Sequence, residues 1–189
     1  MAVSTPPVYR TGIVRECKVA AVLEQIGGRT ALLKHGAQRA PALLAWRGKV
    51  ALPHWQARWV DGRQSWLVVR SKSDCGYQHN LNDLRTTGID WKQYQAYAEV
   101  ERLTKRPVVV VLVHQKQNLV VTAGLHQHRV RGQGGGLPMA WWDFDRLPRL
   151  CSVRDLDETT PREQRIDEPI FLPPELPPMQ TDLFDGLAR

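Results

Sequence analysis

The sequence has few cysteines, no long apolar run and little negative charge over most of its length. Its three cysteines, Cys17, Cys75 and Cys151, are far apart and lack the paired short spacing of a zinc site. Their odd number does not suit a disulfide framework, so we expect reduced thiols in a cytoplasmic protein. No stretch of about 18 apolar residues occurs, which argues against a membrane-spanning helix. The first residues lack the basic-then-apolar pattern of a secretion signal, and we expect no membrane partner.

The charges of the chain are unevenly distributed. Residues 1–153 carry 22 Lys and Arg against 10 Asp and Glu, a net charge of +12. Residues 154–189 carry 4 against 9, a net charge of −5. A basic body favours a polyanionic partner, most often nucleic acid, although a well-solvated surface has the same composition. The acidic end has the composition to fold back over the basic face and compete with DNA.

Composition divides the chain into three regions. We expect a basic core domain over residues 1–153, an acidic, proline-containing flexible linker over residues 154–178, and a short tail over residues 179–189. The hydrophobic content of 42% and the seven tryptophans suffice for one core. The linker prediction depends on dense charge, few core-forming residues and two proline pairs near its end.

Apolar periodicity predicts the main elements of the core. One helix is expected over residues 10–27, and a second over residues 91–105 with Asp90 as its cap. Short apolar runs predict strands over residues 30–33, 42–46, 50–60, 66–69, 107–114 and 141–150. Turn-forming residues predict loops over residues 73–88 and 127–138. The resulting α-β-β-β-α-β succession indicates an α/β core with a mixed sheet.

The most informative segment spans residues 53–72, PHWQARWVDGRQSWLVVRSK. It contains two predicted strands joined by a tight Asp61-Gly62 turn, and Lys72 lies at the end of the second strand. In metal-dependent nucleases, carboxylates on two such strands bind Mg²⁺, and a lysine that follows helps to position the attacking water. Here the positions expected to carry acids hold His54 and Arg70.

Together with the later segments TGID and PVVVVLVH, this region resembles the PD-(D/E)xK nuclease superfamily over residues 10–150. Within the superfamily it is most similar to Holliday-junction-resolvase-like proteins and to the nuclease subunit of heteromeric transposases. The resemblance implies a restriction-endonuclease-like αβββαβ core with a mixed sheet, followed by a disordered C-terminal tail. Pro53-His54 matches the family's Pro-Asp, Arg70-Ser71-Lys72 matches its Glu-x-Lys, and Glu16 lies near its optional helical acid.

These departures from the family pattern fall on the metal ligands. An arginine puts a permanent cation where Mg²⁺ should bind, and a histidine suits transition metals better than Mg²⁺. We therefore predict a pseudonuclease with no resident cofactor, with Mg or Mn required only if cleavage is retained. Retained cleavage would need a migrated site in which Asp61 and Asp74 join Glu16 and Lys72. Asp61 lies in an Asp-Gly-Arg segment, which more often marks a hairpin turn, and Asp74 begins a loop, where a solvated surface role is usual.

Basic side chains are predicted to contact the DNA backbone. We call one set of them the phosphate clamp, predicted to line the former substrate cleft: Arg47, Lys49, Arg58, Arg63, Arg70 and Lys72. Arg129 and Arg131, beside a glycine-rich stretch, are further candidates. The alternative is that all of these are solvated surface charges. The histidines at 114, 126 and 128 lack a completing ligand, and we expect hydrogen-bonded or solvated rings and no metal site.

The segment Gln180-Thr181-Asp182-Leu183-Phe184 resembles the pentapeptide by which bacterial replication and repair proteins bind the sliding clamp, and it matches at all five positions. Leu183 and Phe184 supply adjacent apolar anchors, Gln180 offers amide hydrogen bonds, and Asp182 occupies the small polar position. The preceding prolines lower the entropy lost on docking. The alternative is that the two apolar residues pack on the protein's own body.

These observations favour a cytoplasmic bacterial, phage or mobile-element protein that binds DNA as a pseudonuclease-type adaptor. The sliding clamp would recruit it to replicating DNA, where other subunits of a recombination, transposition or replication complex are possible partners. The first alternative is an active, metal-dependent, structure-selective endonuclease of the junction, flap or transposon-end type. The second is a protein-interaction module or inhibitor that acts on host replication proteins.

Overall fold

The computed structural model describes residues 7–33, 42–45, 48–78, 84–127, 129–130, 138–163 and 167–170. Its helices are α1 (Pro7–Gln25), α2 (Trp91–Thr104) and α3 (Val153–Glu158). Its strands are β1 (Arg29–Leu32), β2 (Ala42–Ala45), β3 (Gly48–Ala51), β4 (Trp55–Arg58), β5 (Gln64–Lys72), β6 (Gly76–Gln78), β7 (Leu84–Asp90), β8 (Val108–His114), β9 (Leu119–Gly124), β10 (Arg129–Val130), β11 (Met139–Asp143) and β12 (Arg149–Cys151). No helix in these ranges is long and apolar enough to cross a membrane.

A six-stranded mixed sheet forms the centre of the protein, in the order β1-β4-β5-β8-β9-β12. β5 and β8 are parallel, and every other neighbouring pair is antiparallel. Helix α1 precedes the first three strands of this sheet, and α2 lies between β5 and β8 along the chain. The structure therefore confirms the predicted αβββαβ core with a mixed sheet. The predicted tail, residues 179–189, lies outside the described residues, as do residues 171–178 of the predicted linker.

The central sheet separates two apolar layers. On one face, α1 and α3 pack over residues such as Leu67 and Val111. On the other face, α2 and a second sheet pack over residues such as Val68 and Leu112. The valine-rich β8 is almost completely buried because it contributes side chains to both layers. This arrangement leaves the ends and free edges of the strands as the places where a site can form.

The helix boundaries follow from their end residues. Gly27 has φ +89 just beyond α1, and its amide donates to the Glu24 carbonyl at 3.1 Å, as in a glycine-terminated helix. At the start of α2, the Asp90 side chain accepts from the Lys92 amide at 2.7 Å, which confirms the predicted cap. Both helices end within two residues of their predicted ends.

The loop predicted over residues 73–88 is partly wrong. β6 and β7 lie there, and they join β11 and β10 in a four-stranded sheet of order β10-β11-β7-β6. The strand β7 has the sequence LRTTGID, whose polar threonines at 86 and 87 are buried against β11. Polar composition therefore concealed a strand that is buried by tertiary packing. A separate two-stranded ribbon, β2 with β3, lies against α2.

Composition predicted a flexible linker from residue 154, but the structure has the helix α3 at this point. α3 has a capping box between Ser152 and Asp155, and Leu156 is completely buried against α1. Further on, the Arg162 guanidinium pairs with Glu24 at 2.9 Å and with Asp167 at 2.8 Å. The division of the chain into core, linker and tail stays a prediction.

Candidate functional site

A cleft opens where β5 continues past the end of β4. β4 pairs with β5 only from Gln64 to Leu67, and the chain entering β4 runs through residues 52–54 beside the rest of β5. The resulting cavity has a volume of about 200 Å³. Residues from both layers line it: Glu16, Leu52, Pro53, His54, Trp55, Leu67, Val68, Val69, Arg70 and Tyr97. The structure thus brings together the three residues that the resemblance placed at the acid positions, Glu16, His54 and Arg70.

Arg70 is fixed in the cleft by a tyrosine. Its Nη2 donates to the Tyr97 hydroxyl at 2.5 Å, and its Nη1 donates to the Val69 carbonyl at 3.1 Å. Burial raises the pKa of Tyr97, and the Arg70 cation opposes that rise. The tyrosine therefore stays neutral at physiological pH and orients the guanidinium without neutralising it.

Glu16 enters the cleft from the other layer. Its Oε2 accepts from the Trp55 indole nitrogen at 3.0 Å, and Trp55 is 2% exposed. One residue earlier on α1, Arg15 donates from Nη1 to the Ser71 hydroxyl at 2.8 Å. A second arginine therefore contacts β5 next to Arg70, but from the opposite face of the sheet.

The carboxyl ends of β5 and β8 carry a row of basic side chains. Arg70 and Lys72 are two positions apart on β5, so their side chains lie on the same face of the strand. Lys72 is paired with His114 of the parallel strand β8. Burial and the nearby Arg70 lower the pKa of Lys72. His114 is completely buried with its ring 4.7 Å from that of Phe144, and within the described residues neither ring nitrogen makes a hydrogen bond.

The two acids of the migrated-site hypothesis lie elsewhere. Asp61 is in the β4–β5 turn, where its Oδ2 is 2.6 Å from Arg63 Nε. Asp74 follows β5, and its Oδ2 is 2.9 Å from Lys116 Nζ. Hydrogen bonds from Lys116 and Gln117 lower the pKa of Asp74 to about 2. Neither acid lines the cleft with Glu16, so the described structure does not assemble this four-residue site.

The residues of the predicted phosphate clamp do not form one cluster. Arg58 and Arg63 flank the start of β5, six residues or about 20 Å along the strand from Arg70. Lys49 is on β3, in the ribbon that leads into the cleft. Of the six clamp residues, the structure therefore places Arg70 and Lys72 together.

The remaining residues singled out from the sequence lie either beside α2 or outside the described residues. Arg129 stacks over Tyr94 at 4.6 Å and Trp91 at 5.0 Å and donates to the Tyr94 hydroxyl, one helical turn from the Arg70 contact with Tyr97. His126 is hydrogen-bonded to Tyr94, as predicted. The same prediction is wrong for His114, whose ring is buried and makes no hydrogen bond within the described residues. Several predicted residues lie outside the described residues: Arg47, His128, Arg131 and the tail residues Gln180, Asp182, Leu183 and Phe184.

The buried His114 makes folding stability depend on pH. Burial and the neighbouring Lys72 lower the pKa of His114 from 6.5 to about 4. The unfolded chain therefore takes up a proton as pH falls below 6.5, while the folded protein does not. The contribution of His114 to folding stability is complete above pH 6.5 and is lost as the pH falls from 6.5 to 4. We expect the free energy of unfolding to be about 2 kcal/mol lower at pH 5 than at pH 7.

Urea denaturation across this pH range tests the expectation. A His114→Gln variant should show a flatter profile, because its buried side chain does not titrate. Asp74→Asn is the control variant. Because the pKa of Asp74 is lowered, the stability that this carboxylate contributes is lost only below pH 3.8. An unchanged slope in His114→Gln would show that other groups produce the pH dependence.

The cleft does not fit the divalent metal that a nuclease core implies. Mg²⁺ prefers several oxygen ligands, and the lining residues offer one carboxylate, Glu16, beside the Arg70 guanidinium. Across the described ranges, no group of three His, Cys, Asp or Glu side chains is placed to hold a metal ion. The donor set suits an anion better than a cation.

The fold is an α/β core with a mixed central sheet, and its cleft holds Arg70 where the sequence resemblance expects an acid. A solved structure of a Holliday junction resolvase, Hjc from the archaeal hyperthermophile Archaeoglobus fulgidus, is similar to this chain. The match has 12% sequence identity and a TM-score of 0.46, and it covers 69% of this chain and 86% of the resolvase. The sequence matches no protein-family model and no curated protein.

Sequence reasoning missed two residues of the cleft and its surroundings. Tyr97 lies three residues after Tyr94 on α2 and is buried as Tyr94 is, so helical spacing could have placed it near β5. Arg15 is the neighbour of Glu16, but nothing in the sequence indicates that it reaches Ser71, 56 residues away.

Proposed function

We propose that this protein binds DNA without cleaving it and holds the sugar-phosphate backbone at the cleft of Glu16, His54 and Arg70. The observation that carries the proposal is the position of Arg70. Its guanidinium lines the cavity at the place where a nuclease core carries a metal-binding carboxylate. A guanidinium offers several donors in a rigid fork that matches phosphate oxygens, and it needs no metal ion to attract them.

The surroundings of Arg70 support an anionic ligand. Lys72 adds a second positive charge on the same face of β5, whereas Arg15 of α1 contacts Ser71 on the opposite face of the sheet. In the cleft, the Glu16 carboxylate accepts a hydrogen bond from the Trp55 indole, which weakens its repulsion of a phosphate. The net charge of +12 over residues 1–153 attracts a polyanion at long range.

We also propose that residues 180–184 bind the bacterial sliding clamp and recruit the protein to replicating DNA. The support is the sequence match, since the pentapeptide lies outside the described residues. A linear motif of this length typically binds with a Kd of about 1 μM, near −8 kcal/mol. A second contact between the cleft and the same DNA would increase the overall affinity through effective concentration.

A cleavage assay tests the non-catalytic part of the proposal. The purified chain is incubated with Mg²⁺ or Mn²⁺ and with supercoiled plasmid, four-way junctions and flap substrates. We expect no nicking above the level of a buffer control. Cleavage that disappears in both Glu16→Ala and Lys72→Ala would contradict the proposal. It would instead support the active endonuclease, with a metal held by Glu16 and His54.

A further inference from the structure

The chain that follows α3 is bonded to the core and reaches the edge of the central sheet. The Arg162 amide donates to the Cys17 carbonyl of α1 at 3.2 Å, and the Arg162 guanidinium pairs with Glu24 and Asp167. The Asp167 amide donates to the Leu32 carbonyl at 2.9 Å, and its carboxylate accepts from the Leu32 amide at 2.8 Å. Leu32 belongs to β1, the outermost strand on this side of the sheet. These bonds lead the chain from α1 to the edge of β1.

From this edge the chain continues on the side of the cleft. Leu33 donates from its amide to the His54 carbonyl at 2.7 Å, and His54 lines the cavity. Ile170, the last residue that the structure describes, packs on the apolar layer of the α2 face, as Leu33 does. Five extended residues span up to about 17 Å. The chain that follows Ile170 is therefore long enough to reach the cleft within a few residues.

Phosphate binding explains only part of the cleft lining. Arg70 suits a phosphate, but five of the ten lining residues are aliphatic: Leu52, Pro53, Leu67, Val68 and Val69. A sugar-phosphate backbone offers few apolar groups to such a surface. An extended peptide with apolar side chains and one carboxylate matches both the aliphatic residues and the guanidinium.

The chain itself contains such a peptide directly after Ile170. Residues 171–176, FLPPEL, are apolar except for Glu175. The proline pair favours an extended backbone and lowers the entropy lost on docking. Residues 171–189 as a whole carry three acidic residues and one arginine, a net charge of −2, opposite in sign to the +12 of residues 1–153.

We propose that residues 171–176 dock in the cleft when no DNA is bound, with the Glu175 carboxylate on the Arg70 guanidinium. An arginine binds a carboxylate as it binds a phosphate, through parallel N–H donors. The segment and DNA then compete for Arg70, so the protein's own chain limits its affinity for DNA. This competition rests on the proposed DNA binding, whereas the docking itself does not.

Disulfide trapping in the full chain tests the docking without DNA. The variant His54→Cys/Pro174→Cys puts one thiol at the cleft and one beside Glu175, and the pair equilibrates in a glutathione buffer. Peptide mass spectrometry measures this disulfide and separates it from pairs with the three native cysteines. We expect about tenfold more disulfide than in His54→Cys/Gly186→Cys, whose second thiol lies ten residues past the docking segment.

The excess should depend on the proposed ion pair. Glu175→Gln or Arg70→Gln, added to the first cysteine pair, should remove it. Equal disulfide at positions 174 and 186, or an excess that neither substitution reduces, would overturn the proposal. A disulfide that joins two chains would assign the cleft to a second copy of the protein and overturn the proposal as well.

Binding of duplex DNA in EDTA separates the docking from the proposed function. Glu175→Gln should bind DNA about fivefold more tightly than the wild type, because the competitor for Arg70 is weakened. Asp185→Asn makes the same change in charge further along the chain and should bind like the wild type. If Glu175→Gln gains no more affinity than Asp185→Asn, the inference is overturned and DNA binding stands. If neither the wild type nor Glu175→Gln binds DNA, the proposed function fails, and the disulfide measurement still decides whether the segment docks.

Discussion

Replacement of Arg70 by glutamate is expected to reduce DNA affinity at least tenfold and to create a site for Mg²⁺. The substitution removes a charge-assisted hydrogen bond to phosphate, worth about 1.5–3 kcal/mol, and adds a repelling carboxylate. It also places a second carboxylate beside Glu16 in the cavity, which gives a divalent cation two anionic ligands. DNA affinity is measured by fluorescence anisotropy in EDTA. Mg²⁺ binding is measured by calorimetry.

Arg154→Glu is a control with the same change in charge. Arg154 is exposed on α3 and does not line the cavity, so its substitution should alter DNA affinity much less than Arg70→Glu. Equal losses in the two variants would mean that only the net charge matters. If Arg70→Glu changed neither DNA affinity nor Mg²⁺ binding, the assignment of Arg70 to the binding site would be wrong.

The Leu183→Ala/Phe184→Ala double variant is expected to lose sliding-clamp binding. Full burial of each side chain in an apolar pocket stabilises a complex by about 1.5–3 kcal/mol. If the wild type binds the clamp with a Kd of about 1 μM, removal of both side chains therefore raises the Kd to about 1 mM. Surface plasmon resonance with an immobilised bacterial sliding clamp measures the change.

A Leu187→Ala variant is the matched control, since this leucine lies just beyond the pentapeptide. It should bind the clamp as the wild type does. If the wild type does not bind the clamp at all, recruitment to replicating DNA is excluded, while DNA binding at the cleft is unaffected. Equal binding by all three proteins would place the contact outside residues 180–184.

The elements that depend on local signals were predicted well. The cap at Asp90, the glycines after α1 and the apolar run of β8 are each encoded within a few residues, and the structure has these elements where they were expected. The order of these elements also led to the correct αβββαβ core. Local propensity and apolar pattern agree in these segments, which is why sequence alone suffices for them.

The elements that depend on distant partners were missed. β7 is polar, and it becomes a buried strand only because β11 and β6 pair with its two edges. The charged segment after residue 154 has the composition of a linker, but Arg162 and Asp167 are held by ion pairs and by backbone bonds to α1 and β1. Composition measures the average tendency of a segment and does not contain these pairings.

The site was predictable in part from the sequence. The resemblance brought Glu16, His54 and Arg70 to one place, and the structure has all three around one cavity. The phosphate clamp was built from sequence proximity, and it fails where residues close along the chain lie at opposite ends of a long strand. Arg63 and Arg70 are the example, since Arg63 directly precedes the nine-residue β5 and Arg70 lies near the other end of that strand.

The most direct test of the central claim is the affinity of the wild type for duplex DNA in EDTA as a function of salt concentration. A protein that contacts phosphates through Arg70 in the cleft and Lys72 beside it on β5 should bind DNA without any divalent metal. Its affinity should fall steeply with salt, with a slope of about −0.9 for each phosphate neutralised. We expect a slope near −2 or steeper, reduced by about one unit in Arg70→Gln. Binding that requires a divalent metal, or an affinity independent of salt, would contradict the account.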